Sequence, residues 1–119
     1  MSYSLEKIAF HTLGCKLNFS ETSTMARDFI KRGFSIVKDF ENANIHIINT
    51  CSVTDKADKK AKRIIKKIIQ TSDNPYITVL GCYAQLKPEK IAQINGVNLV
   101  IGDKEKLNVA NHVIENYKN

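Results

Sequence analysis

No stretch of the 119-residue chain approaches the roughly 18 apolar residues that a spanning helix needs, which excludes a membrane helix. The opening residues, "MSYSLEKIAFHT", lack the basic region and long apolar region of a secretory signal. Export is therefore not expected, and a cytoplasmic location is. Disulfides belong to oxidising compartments, and three cysteines, an odd number, leave at least one thiol unpaired. The chain also lacks a CxxC pair, a low-complexity tract, a linker and any repeat beyond a Leu-Gly-Cys echo. What is present is the composition of one ordinary globular domain, 43% hydrophobic and 25% charged, large enough to bury a core. The cysteines are then inert core residues, reactive thiols or metal ligands.

Apolar runs alternate with helical patterns along the whole chain. Residues 7–13, 34–37, 44–49, 76–81 and 97–101 read as strands. A helix is expected over 20–32, capped by Asn18 or Ser20, buried through Met25, Ala26, Phe29 and Ile30, and stopped by Gly33. A second over 55–69 carries an apolar stripe of Ala57, Ala61, Ile64, Ile65, Ile68 and Ile69. A short helix from Pro88 ends at Gly96. A last one, capped by Asp103, turns Leu107, Ala110, Val113, Ile114 and Tyr117 inward. Alternation of this kind implies an α/β fold: a single three-layer domain over residues 1–119, with a parallel, flavodoxin-like sheet of about five strands and helices on both faces.

That fold gives the cysteines a common address. Cys15, Cys51 and Cys82 each follow an apolar run, the first, third and fourth strands. Parallel strands end at one edge, where ligands bind. In flavodoxin-like order these three strands are neighbours, so the three thiols are expected to converge. Three thiolates on a four-iron cubane leave one iron open to an outside ligand. Zinc requires a fourth ligand or a water, and His11 or His46 would have to supply it from inside a strand.

Three blocks carry a resemblance. "TLGCKLNFSET" (12–22), "INTCSVTDKADKKAKRII" (48–65) and "VLGCYAQLKPEKI" (79–91) resemble the signature blocks of the N-terminal domain of radical-SAM methylthiotransferases. "GVNLVIGDKEKL" (96–107) is similar to the block that closes that domain. The first block looks most like the branch that modifies N6-threonylcarbamoyladenosine beside the tRNA anticodon, rather than those acting on isopentenyladenosine or a ribosomal-protein aspartate. The resemblance implies that Cys15, Cys51 and Cys82 hold an auxiliary 4Fe–4S cluster, whose open iron carries the sulfur to be transferred. A second 4Fe–4S cluster and S-adenosylmethionine would be bound by a following radical-SAM domain, and a further RNA-binding domain would grip the tRNA. This chain contains no CxxxCxxC. It is expected to be one domain of a longer polypeptide, without radical chemistry of its own. Asn18, Asn49, Thr50 and Gln85, in the same blocks, have polar groups suited to donating to cluster sulfurs or to capping and turn roles. Lys16 stands next to Cys15, where a cation favours the thiolate.

Charge is concentrated in one place. Residues 55–70 carry seven Lys/Arg against two Asp, a net of +5 out of the chain's +6. Lys59, Lys60, Arg63, Lys66 and Lys67 form either a solvated helix face or a phosphate-binding stripe for tRNA. No aromatic residue interleaves them, so base stacking is not expected. Two other readings remain. One is a stand-alone metal- or RNA-binding module. The other is a flavodoxin-like domain with core cysteines and a non-metal ligand, disfavoured because its strand-end loops lack a Ser/Thr/Gly-rich phosphate cradle.

Overall fold

Parallel strands cannot be joined by hairpins, so each return must cross over through a helix or a long loop. The computed structural model describes residues 6–13, 16–38, 43–50, 55–72, 75–81 and 96–117, and the elements follow that rule. They are β1 (Lys7–Thr12), α1 (Lys16–Lys31), β2 (Ser35–Ile36), β3 (Ile45–Thr50), α2 (Asp55–Thr71), β4 (Tyr76–Gly81), β5 (Val97–Ile101), a 3-10 segment (Asp103–Asn108) and α3 (Val109–Tyr117). All strand pairs are parallel, in the order β2-β1-β3-β4-β5. This is the expected flavodoxin-like sheet. The helix expected from Pro88 lies outside the described residues.

β3 occupies the middle of the sheet, and all six of its residues are buried, as a strand covered on both faces requires. On one face Phe29 and Met25 of α1 and Val109, Ala110 and Val113 of α3 pack over Ile8, Ile45, Ile47 and Leu80. On the other, Ile65 and Ile68 of α2 pack over Ile48, Ile77 and Val79. α1 closes as the sequence anticipates. Gly33 adopts φ +99°, the Phe34 amide donates to the Phe29 carbonyl at 3.1 Å and the Gly33 amide to Ile30 at 3.1 Å. Phe34 then sets its ring edge-on to Phe29, 5.2 Å between centroids. These are the bonds and the apolar contact of a Schellman C-cap.

Several expectations are corrected. α1 begins at Lys16, so Asn18 and Ser20 lie within the helix rather than at its N-cap position. Its first turn contains no acidic residue, which removes the usual mark of a helix start. Ile30 is 55% exposed, Ile69 42% and Leu107 56%. Ile30 and Ile69 sit at the margins of their apolar stripes, and Ile69 lies over Gly96 at the start of β5 with one flank left open. The helix expected from Asp103 is divided, and Leu107 falls in its 3-10 part, where the three-residue turn takes it out of phase with the α-helical stripe.

Two histidines are built into the α2 side of the sheet. His46 is fully buried. Its Nδ1 lies 3.1 Å from His11 Nε2 and its Nε2 lies 3.2 Å from Ser72 Oγ, just past α2. The two rings stack, 5.4 Å apart at 13°. Burial pushes His11 down to about 4, helped by His46 and then by Lys67. Burial also takes His46 to about 4, against a hydrogen bond that its ring donates to the Ala43 backbone. Both rings are thus neutral when folded at neutral pH, whereas the unfolded chain takes up protons near pH 6.5. The stabilisation is complete above about 6.5 and is lost as pH falls toward 4. Unfolding free energies from urea titration should therefore drop between pH 7 and pH 5, by about 2 kcal/mol or more for the two histidines together. In a His11→Gln/His46→Gln variant that gap should nearly close.

Candidate functional site at the carboxyl edge of the sheet

The crossovers out of β1 and β3 leave in opposite directions, to β2 on one side and β4 on the other. α1 and α2 therefore cover opposite faces, which makes the carboxyl ends of β1 and β3 the topological switch point, the position where ligands bind in such sheets. Three neighbouring strands finish there level with one another. Thr12 pairs with Asn49, Asn49 with Leu80, and Thr50 with Gly81. The Leu13 amide extends the pairing by one residue, donating to the Asn49 carbonyl at 2.9 Å.

Cys15, Cys51, Cys82 and Gln85 lie outside the described residues, as do the side chains of Lys16 and Asn18. Their covalent neighbours are described. Cys51 directly follows Thr50, Cys82 directly follows Gly81, and Cys15 directly precedes the first residue of α1. Thr50 and Gly81 are direct partners across adjacent strands, which run about 4.8 Å apart.

The polar groups beneath this edge are engaged with one another. Thr50 is buried, and its hydroxyl donates to the Leu80 carbonyl at 3.0 Å. That is the strand-end bond its position allows. Asn49 is fully buried, and its Nδ2 donates to Thr22 Oγ1 of α1 at 3.3 Å. Thr22 Oγ1 lies 2.8 Å from Thr12 Oγ1. Thr12 and Thr22 thus fasten α1 to the ends of β1 and β3. Sequence reading did not single them out. The available signal was a polar residue closing each of the two apolar runs, Thr12 and Asn49. Their common partner Thr22 emerges only once α1 is laid on the sheet.

α2 starts at the same edge, five residues beyond Thr50, and runs back along the sheet to Thr71. Ala61, Ile65 and Ile68 are buried beneath it. Lys59, Lys60, Lys62, Arg63, Lys66 and Lys67 are all exposed. No acidic residue occurs between Lys59 and Thr71, so these six account for the whole net charge of +6. No ion pair with a described residue involves Lys59, Lys60, Arg63 or Lys66. Arg32 on α1, by contrast, pairs with Asp28 at 3.1 Å. Lys59 and Arg63, Lys62 and Lys66, and Arg63 and Lys67 stand four residues apart, and each such like-charge pair costs about 0.2–0.5 kcal/mol of helix stability.

Comparison with known proteins places this arrangement. Residues 7–102 match the family described as uncharacterized protein family UPF0004. The chain is 44% identical over 103 residues to the threonylcarbamoyladenosine tRNA methylthiotransferase MtaB of Bacillus subtilis (strain 168), covering 84% of this chain and 23% of that protein. It is 36% identical over 109 residues to the enzyme of the same name from Thermotoga maritima, covering 92% and 25%. It is 29% identical over 119 residues to the tRNA-2-methylthio-N(6)-dimethylallyladenosine synthase of Pelagibacter ubique, covering 97% and 27%. The chain thus spans about a quarter of the length of the curated relatives it matches. The five-stranded parallel sheet falls within residues 7–102, and that match makes this chain a member of the UPF0004 family, the part it shares with these tRNA methylthiotransferases.

Proposed function

We propose that this chain is the cluster-binding, sulfur-donating domain of a tRNA methylthiotransferase that adds a methylthio group to carbon 2 of N6-threonylcarbamoyladenosine. One observation carries the reading. The strands leading to Cys51 and Cys82 end as direct partners, Thr50 beside Gly81, with β1, which leads to Cys15, next to β3. The names of relatives at 33–44% identity support the substrate, as does the first cysteine block. Relatives named for dimethylallyladenosine match at 29–34%.

The donor set fits an iron–sulfur cluster. Thiolates are the ligands such clusters take, and Cys15, Cys51 and Cys82 would hold it. The alternative zinc ligands are otherwise occupied: His11 and His46 hydrogen-bond to each other and onward to Ser72, on the α2 face. When bound, a three-thiolate cluster supplies an open iron for the sulfur to be transferred. This chain's own residues would hold and surround it. Lys16 would favour the Cys15 thiolate. Asn18 and Gln85 would offer polar groups at the rim. Asn49 and Thr50, already bonded to Thr22 and Leu80, would fix the strand ends from which the ligands extend. The radical-SAM and RNA-binding domains of the longer relatives would supply the remaining chemistry and the main grip on tRNA.

Anaerobic reconstitution with iron and sulfide tests the reading. About four iron and four acid-labile sulfide should bind per chain, and Cys15→Ala, Cys51→Ala and Cys82→Ala should each abolish the Mössbauer signature of a four-iron cluster. Iron uptake indifferent to all three substitutions would refute it. Thr22→Val separates anchoring from ligation. Removing a hydroxyl that serves two partners should lower stability by about 1–3 kcal/mol, measured by urea unfolding, while the iron count stays the same.

A further inference from the structure

We propose that the outward face of α2 is a docking surface for an RNA backbone, through Lys59, Arg63 and Lys66 as its central row with Lys60, Lys62 and Lys67 flanking it. This rests on the reading of the chain as part of a tRNA-modifying enzyme and specifies where the nucleic acid lies.

Position comes first. The buried stripe of α2 fixes its rotation on the sheet. At 100° per residue, Lys59, Arg63 and Lys66 fall opposite the centre of Ala61, Ile65 and Ile68. The row therefore points straight away from the sheet, and Lys59 to Lys66 spans about 10 Å along the axis. The helix begins at the carboxyl edge that carries the cysteine blocks. RNA lying along it would thus run from the site edge down one side of the domain.

Charge comes second. An exposed helix selected only for stability mixes acids with bases at four-residue spacing. α2 has six cations and no acid from Lys59 onward, while the rest of the chain is electrically balanced. Such a face can displace the cations condensed on a nucleic acid, and their release is the driving force of phosphate binding. Five of the six are lysines, strongly hydrated point charges suited to phosphate oxygens without base readout. The absence of aromatics on this face points the same way.

A lipid surface fits poorly. A membrane-bound amphipathic helix inserts its apolar face, and the apolar face of α2 is already covered by the sheet. An acidic protein is the remaining alternative, and the test includes it.

The chain's binding to an unmodified anticodon stem-loop transcript would be followed by fluorescence anisotropy from 20 to 200 mM salt. Lys59→Glu/Arg63→Glu/Lys66→Glu should weaken binding at least tenfold and flatten the salt dependence by about two to three in log–log slope. The control Arg27→Glu/Lys31→Glu/Lys38→Glu changes net charge equally. It alters exposed residues away from α2 and should weaken binding less than threefold. The neutral set Lys59→Gln/Arg63→Gln/Lys66→Gln should fall between the two, and circular dichroism would establish that each variant is folded. Equal losses in the two reversal sets would overturn the proposal, as would no measurable RNA binding at 20 mM salt. Poly-L-glutamate competing as well as RNA would replace RNA with an acidic protein. The cluster experiment reads independently. Cluster loading without RNA binding defeats this inference alone. RNA binding through α2 without a cluster defeats the functional reading and leaves the basic face standing.

Discussion

The pairing of β1 with β3 is the constraint on which the rest of the molecule depends. The chain leaves these two neighbours in opposite directions, and that single reversal decides which helix covers which face. It also decides where the sheet opens. Had β1 and β3 been followed by crossovers of the same sense, α1 and α2 would share a face and the edge between them would be roofed over. As built, the ends of β1, β3 and β4 stand together with a helix leaving on either side. Every buried polar contact near the edge then reinforces this placement. Thr22 ties α1 to both central strands, and Thr50 ties β3 to β4.

How much of this is legible in the sequence depends on the range of the signal. Strand positions are legible to within a residue or two, because each apolar run is short and bounded by polar or turn residues. The end of α1 is legible because Gly33 and Phe34 act locally. Its start is not, since Asn18 and Ser20 resemble caps in any helix that begins later. The exposure of Ile30 and Ile69 escapes periodicity, because a stripe predicts direction and says nothing of how wide the covering layer is. The two polar clusters are invisible for another reason. His11 and His46 lie 35 residues apart, and Asn49 lies 27 from Thr22. Their meeting depends on strand register, which only the paired sheet establishes. The adjacency of β1, β3 and β4 is the reverse case: it follows from strand alternation and a flavodoxin-like order, without a local motif.

Charge is distributed by layer. α2 carries a net +5 of the chain's +6, whereas α1 on the opposite face mixes signs and pairs them, as Arg32 does with Asp28. Local repulsion along α2 works against helix formation, and the pattern persists along the helix. The compensating term is apolar: Ile65 and Ile68, fully or almost fully buried, bind α2 to Ile48, Ile77 and Val79. The histidine pair beneath extends this arrangement inward, since Lys67 is among the groups that hold His11 neutral.

That balance bears on the order in which the domain assembles. A segment rich in isoleucine and in like charges has little reason to be helical in isolation, where propensity and side-chain pairs are all that act. α2 has to wait for a surface, and the surface is made by β3 and β4, the very strands it connects. Its formation and the closure of that parallel pair are therefore one event, and the helix is expected to be absent from early, locally structured states of the chain. The basic face exists as a surface only after the sheet edge beside it has been built, so a partly folded chain would display the charges without the row.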